Sequence, residues 1–86
     1  MLYRILTEDK NKEQVLEIVS SFFEGYTVLS ALGVWKRQVE KSLIIEIDSN
    51  GLHDGKVVEE IARRIKDLNG QEAVMIQRIK SRAVFV

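Results

Sequence analysis

The chain has 86 residues, of which 45% are hydrophobic and 30% charged, and its 13 basic side chains balance 13 acidic ones. This length supports one hydrophobic core, and this composition is typical of a folded domain rather than a disordered segment. We therefore predict a single domain over residues 1–86. The zero net charge offers no general attraction for nucleic acid or an anionic membrane, and it favours self-association near neutral pH.

The sequence contains no cysteine, which excludes disulfide bonds, thiolate metal sites and thiol nucleophiles. Small extracellular domains are often held together by disulfides, so this absence favours a reducing, cytoplasmic location. The N-terminal segment lacks the apolar run of a signal peptide. No stretch approaches the roughly 20 apolar residues of a transmembrane helix, so no membrane association is predicted.

A strand followed by a helix is predicted for the N-terminal part of the chain. Leu2 to Leu6 is rich in residues that favour strands, and a polar segment follows it. Asn11, with Gln14 three residues later, is typical of a helix N-terminus with a capping box. The next apolar residues recur at helical spacing, which predicts a helix over residues 12–24 that ends at Gly25.

Two strands are predicted in the middle of the chain. Tyr26 to Trp35 is rich in β-branched and aromatic residues, and we interpret the polar residues 36–41 as a turn. Ser42 to Asp48 alternates regularly and gives the clearest strand in the sequence. Its inward face is expected to hold Leu43, Ile45 and Ile47.

A second helix and two further strands are predicted for the C-terminal part. Asp54 is a suitable cap for a helix over residues 56–69, whose apolar residues form one stripe, and Asn69-Gly70 marks its end. Ala73 to Ile79 predicts a fourth strand, and Ala83 to Val86 predicts a short fifth strand.

This order of elements predicts a soluble α+β domain of ferredoxin-like βαββαβ topology with a short extra C-terminal strand. Right-handed crossovers place both helices on one face of the antiparallel sheet and leave the other face uncovered. Monomers seldom expose a large apolar surface, so we predict a homodimer, with a higher oligomer as the alternative. The predicted interface residues are Leu2, Leu6, Ile44, Val84 and Val86. Arg4 and Glu46 are expected to form a pair within it.

A small-molecule pocket is a second hypothesis, and Tyr26, Trp35 and Glu46 are its candidate lining residues. His53 is the only histidine, and it lies in the loop before the second helix. A lone histidine without a partner at ligand spacing is weak support for catalysis or metal binding, so we interpret it as a solvated loop residue. We predict no metal and no cofactor, and the sequence favours a non-enzymatic protein.

Binding of nucleic acid is a third hypothesis, which the sequence disfavours. Arg78, Lys80 and Arg82 alternate and would share one face if the strand continued. RNA-binding domains of this topology stack bases on aromatic side chains in their central strands. The third strand, Ser42 to Asp48, has no aromatic residue, so these basic residues are better explained as a charged strand edge that resists aggregation.

Part of the chain resembles a known group of domains. The segments concerned are Gly25-x-Thr27, Gly33-x-Trp35, Glu40-x-Ser42-Leu43-Ile44-Ile45 and Gln71-Glu72-x-Val74. They resemble a family of small ferredoxin-like domains of uncharacterised function, over residues 25–85. The chain is also loosely similar to PII-like signalling proteins and to dimeric α/β-barrel proteins. The long nucleotide-binding loop of PII proteins is missing, since only six residues separate Trp35 from Ser42.

These observations lead to three functional hypotheses. The first is an oligomeric interaction or regulatory module. The alternative is a small-molecule-binding domain, or a small enzyme of the dimeric α/β-barrel type, and the third is a nucleic-acid-associated protein. The resemblance implies a fold and adds no activity.

Overall fold

A computed structural model describes residues 1–86 and contains four strands and two helices. In chain order they are β1 (Leu2–Glu8), α1 (Lys12–Ser20), β2 (Thr27–Trp35), β3 (Gln38–Asp48), α2 (Asp54–Asn69) and β4 (Met75–Ile79). The sequence predicts each of these six elements with the correct type. The predicted fifth strand is absent.

The four strands form one antiparallel sheet in the order β2-β3-β1-β4. β1 and β2 run parallel to each other with β3 between them, and β3 and β4 run parallel with β1 between them. Each helix therefore connects two parallel strands that are not neighbours. The fold is α+β, and this arrangement is compatible with a ferredoxin-like fold.

The hydrophobic core lies between the two helices and one face of the sheet. The sheet contributes alternate residues of the two central strands, and the helices contribute their apolar stripes. The fully or nearly fully buried members are Tyr3, Ile5, Val15, Val19, Ile45, Ile47, Val58, Ile61 and Ile65. The predicted inward set of β3 is confirmed, because Leu43, Ile45 and Ile47 are all 0% exposed.

A partly buried polar cluster joins the end of β1 to the beginning of α1 and the end of α2. Asn11 donates from Nδ2 to Asn69 Oδ1 at 3.0 Å, and Thr7 Oγ1 donates to Gln71 Oε1 at 2.5 Å. Asn69 also donates to Gln71 Oε1, so the buried Asn69 and Thr7 are both hydrogen-bonded. Asn11 holds the predicted N-cap position of α1, but its φ is 53° and its side chain makes no cap hydrogen bond, so the predicted capping box does not form.

The helix bounds differ from the prediction at the C-terminal end of α1 and at the N-terminal end of α2. α1 ends at Ser20 with Ser21 as its C-cap, whereas the prediction extended it to residue 24 and ended it at Gly25. α2 begins at Asp54, so His53 holds the cap position that was assigned to Asp54. The Asp54 carboxylate instead accepts a hydrogen bond from Ser49 Oγ and closes the preceding loop.

The segment Ala83–Val86 forms no strand, which corrects the prediction. β4 pairs with β1 as far as Ile79 opposite Leu2, where β1 begins, so the later residues have no neighbouring strand to bond. The last interaction is the Met1 amino group donating to the Ser81 carbonyl at 3.3 Å. Val84 and Val86 are fully solvent-exposed or nearly so, at 78% and 126% relative accessibility.

The hairpin of β2 and β3 extends beyond the rest of the sheet. The pairing of β1 with β3 stops at Ser42 opposite Glu8, whereas β2 and β3 remain paired to Trp35 opposite Gln38. We call residues 32–41 the arm. The predicted polar turn over residues 36–41 is therefore too long, and only Lys36 and Arg37 form the turn.

The turn of the arm places both central residues at positive φ, 49° for Lys36 and 64° for Arg37. This is the pattern of a type I′ turn, which asparagine followed by glycine adopts with least strain. We expect the double substitution Lys36→Asn, Arg37→Gly to raise the free energy of unfolding by about 1 kcal/mol, measured by urea denaturation. The control Gln38→Gly lies in extended backbone and is expected to lower it. A double variant that is less stable than the native chain contradicts the turn assignment.

Candidate interaction surface

The sheet face opposite the helices, which we call the open face, carries an apolar row that crosses all four strands. The strand register places Leu29 beside Ile44, Ile44 beside Leu6, and Leu6 beside Met75. Leu29 and Met75 are 42% and 55% exposed, and the two central residues are half-buried. No element of the chain covers this apolar row.

A polar row lies next to the apolar row on the open face. Arg4 Nε lies 3.2 Å from Glu46 Oε2, and these central residues are flanked by Gln77 and Thr27 at the sheet edges. The predicted pairing of Arg4 with Glu46 is confirmed. The Arg4 Nε–H is buried but not aimed at the carboxylate, so the contact is an ion pair without a hydrogen bond from that nitrogen.

Beyond the polar row, Leu2 lies beside Ile79, which is 39% exposed. On the open face, apolar side chains thus lie on both sides of one ion pair, and the charged residues Glu8 and Asp48 lie at the ends of the two central strands. Three predicted interface residues, Leu2, Leu6 and Ile44, lie together on it. Leu29, Met75 and Ile79 were not predicted to lie here; Met75, Gln77 and Ile79 alternate within β4, whereas Leu29 is placed on this face by the register of β2 with β3.

The arm exposes further large apolar side chains. Leu32, Val34 and Val39 share the face of the hairpin that continues the helix side of the sheet, and they are 75%, 71% and 68% exposed. Trp35 lies on the other face and is 60% exposed, with Lys36 Nζ 5.8 Å from its ring centre. The arm thus exposes apolar side chains on both of its faces.

The predicted pocket residues are not brought together. Tyr26 packs against the core on the helix side, where its hydroxyl donates to the Leu16 carbonyl at 3.2 Å. Glu46 lies on the open face beside Arg4. Trp35 follows Thr27, the β2 neighbour of Glu46, by eight residues, or roughly 26 Å of extended strand. The three side chains therefore line no common cavity.

The surface has four depressions, and the two best-defined ones are open to solvent. The larger, about 440 Å³, lies where the arm leaves the sheet, between Asp9 and Lys41. The smaller, about 270 Å³, lies between α2 and β4. His53 lines neither of them. No group of three His, Asp or Glu side chains is arranged to hold a metal ion.

His53 is exposed and makes no side-chain cap hydrogen bond at the start of α2. We expect His53→Ala to leave the urea midpoint and the association state unchanged, because no contact depends on the imidazole. A change of more than about 0.5 kcal/mol in the free energy of unfolding would show that the imidazole makes a contact that the structure lacks.

The basic side chains on the helix side are interleaved with carboxylates. Glu60 accepts from both Arg63 and Arg64, and Arg78 Nη2 lies 2.6 Å from Glu59 Oε1. Of the three alternating basic residues of the nucleic-acid hypothesis, Arg78 is thus paired with a carboxylate of α2.

No protein-family model matches the chain, and no curated protein matches it in sequence. The resemblance to small ferredoxin-like domains therefore stays a prediction. Neither helix has the length and apolar character that would let it cross a membrane.

Proposed function

We propose that the protein is an interaction module that works as a homodimer joined through the open face. The observation that carries this proposal is the apolar row Leu29, Ile44, Leu6 and Met75, which no helix of the chain covers. Removing a row of apolar side chains from water lowers the free energy of the system. Stacking two identical faces achieves this without a second gene product.

The charges on the open face favour one orientation of the two copies. A two-fold axis parallel to the strands, between β1 and β3, reverses the strand order in the second copy. Leu6 then lies over the partner's Ile44, and Arg4 lies over the partner's Glu46. Opposite charges thus meet across the interface, within an apolar surround.

The competing two-fold axis runs across the strands. When it passes through the polar row, it places Arg4 over the partner's Arg4, and like charges in contact oppose association. Charge complementarity therefore supports the axis along the strands. Sheets stacked in this way lie about 10 Å apart, with their strands roughly 30° from parallel.

The size of the open face sets the expected affinity. Four strands spaced about 4.8 Å apart, with a central strand of roughly 23 Å, give a footprint of roughly 400 Å² on each copy. The two copies together then bury roughly 800 Å², which is small for a specific interface. We therefore expect a dissociation constant in the micromolar range rather than an obligate dimer.

Sedimentation equilibrium tests the proposal. We expect the apparent mass to rise from one chain towards two as the concentration passes through the micromolar range, since association follows mass action. The 9.9 kDa chain makes one and two copies easy to distinguish. A mass of one chain at all concentrations up to about 100 µM contradicts the proposal.

The finer fold assignment is part of the same proposal. A ferredoxin-like domain is supported by the two crossovers, each of which links parallel strands across an intervening strand. A cytoplasmic location is supported by the absence of cysteine. The residues Val84 and Val86 stay in the proposed interface only as flanking contacts, because the C-terminal segment leaves the sheet after Ile79.

A further inference from the structure

The outer edge of β2 is unusually open to strand pairing. Its nine residues, Thr27–Trp35, include no charged residue and no proline. Proteins normally protect a long edge strand with lysine, proline, a bulge or a covering segment, because its free N–H and C=O groups bond any available strand. The register of β2 with β3 is continuous from Thr27 to Trp35, so no bulge interrupts it.

The other edge of the sheet is protected in the usual way. β4 has only five residues and includes Arg78, and the chain continues with Lys80 and Arg82. The difference between the two edges shows that this protein protects one edge and leaves the other free. From this contrast we infer that β2 pairs antiparallel with β2 of a second copy, so that the two sheets become one.

Self-pairing of β2 has one register that uses its full length. A two-fold axis perpendicular to the sheet at Ala31 places Thr27 opposite the partner's Trp35 and Val28 opposite the partner's Val34. All nine residues are then paired, and both copies keep their helices on the same side. Any other centre leaves part of the edge unpaired.

This register also explains the apolar arm. Val34 is 71% exposed in one copy, whereas Val28 packs against the core. Pairing places Val34 beside the partner's Val28 on the helix side of the sheet, where directly opposed β-branched side chains pack well. The arm thus extends the partner's sheet and contacts the margin of its core.

The β2 edge and the open face are different surfaces, so this inference stands whether or not the open-face dimer forms. If both contacts form, their two-fold axes are perpendicular and do not meet, because one lies between β1 and β3 and the other at β2. Such a pair of contacts does not close into a ring. We expect species larger than a dimer at high concentration when both surfaces are intact.

Two matched lysine substitutions test the edge contact. Val34 and Val39 lie opposite each other on the same face of the arm, with exposures of 71% and 68%. Only Val34 belongs to the edge strand. We expect Val34→Lys to weaken edge association at least about tenfold, because it places an ammonium group against the partner's Val28. Val39→Lys is expected to behave as the native chain does.

A single cysteine locates the axis directly, because the native chain has none. Opposed residues in an antiparallel pair have Cα atoms about 4.5–5.5 Å apart, which is within disulfide range. We expect Ala31→Cys to form a disulfide-linked dimer on mild oxidation, and Val39→Cys to form several-fold less. We expect Ala31→Cys/Ile44→Glu to give the same disulfide yield as Ala31→Cys alone. Equal yields would show that the edge contact forms without the open-face contact.

The results of these experiments distinguish the β2-edge contact from the open-face contact. Cross-linking at Ala31→Cys that survives Ile44→Glu supports edge pairing, even if the open-face dimer fails. Equal cross-linking of Ala31→Cys and Val39→Cys overturns the inference, and so does equal association of the Val34→Lys and Val39→Lys variants. Loss of the disulfide in the Ile44→Glu background would show that the β2 edges meet only when the open-face dimer forms. This result also overturns the inference.

Discussion

Replacement of Ile45 by alanine is expected to lower the free energy of unfolding by about 2–5 kcal/mol, because it opens a cavity at the centre of the only core. Ile45 is 0% exposed, and its backbone pairs with Ile5 on one side and Val28 on the other. A domain of 86 residues has about 4–13 kcal/mol of stability in all. The variant is therefore expected to be partly unfolded at 37 °C.

Urea denaturation followed by circular dichroism measures this loss. Leu52→Ala is the control, since Leu52 is 91% exposed and its truncation removes no buried surface. We expect its midpoint to match that of the native chain. An unchanged midpoint for Ile45→Ala would show that the phase of β3 is reversed and that Ile44 faces the helices instead.

Replacement of Ile44 by glutamate is expected to abolish the open-face dimer and leave the monomer folded. Ile44 lies on the open face between Leu29 and Leu6, so a carboxylate there would be buried beside apolar side chains in the dimer. An unpaired charge in such a place costs several kcal/mol, which exceeds what a micromolar interface can lose and still form. The monomer keeps this position half-exposed to water.

The measurement is sedimentation equilibrium at a concentration where the native chain is dimeric. Leu68→Glu is the control, because Leu68 is 40% exposed on α2, in the helix layer away from the open face. We expect the Leu68 variant to associate as the native chain does. In the Val34→Lys background, where the edge contact is weakened, a dimer that withstands Ile44→Glu, or one that Ile44→Glu and Leu68→Glu disrupt equally, would contradict association through the open face.

The faces of β1 and β3 were predictable from their alternation, although both strands are longer than predicted, Leu2–Glu8 against Leu2 to Leu6 and Gln38–Asp48 against Ser42 to Asp48. In β1 and β3 a single reversal of phase would bury Arg4 and Glu46 in the core, so the hydrophobic pattern leaves one solution. The Arg4–Glu46 contact followed from that phase and from the pairing of neighbouring strands. The two helices followed from their apolar stripes, which fixed their faces better than their ends.

The arm and the C-terminal segment were not predictable in the same way. The residues of β2 are apolar or small on both faces, so they carry no alternation that reveals where the sheet stops and the arm continues. A Lys36-Arg37 turn has none of the residues that normally indicate positive φ. Ala83–Val86 has strand propensity. It forms no strand because β1 begins at Leu2, opposite Ile79, and offers no partner to the residues beyond Ile79.

The extent of the open face also needed the structure. Leu2, Leu6 and Ile44 could be placed from their own strands, whereas the contributions of Leu29 and Met75 depend on the register between strands. The side-chain partner of Asn11 was not predictable for a related reason. Its partner Asn69 is 58 residues away, and a local capping pattern contains no information about such a contact.

Oxidation of the two methionines tests the central claim, the open-face dimer, most directly. Met75 is 55% exposed on the open face, whereas Met1 packs against the core on the helix side and is an internal reference. Brief peroxide treatment followed by mass spectrometry gives the ratio of Met75 to Met1 sulfoxide in one sample. The account predicts that this ratio falls as protein concentration rises through the micromolar range, and that it stays constant in Ile44→Glu. A ratio for the native chain that is independent of concentration, while its sedimenting mass rises, would contradict association through the open face.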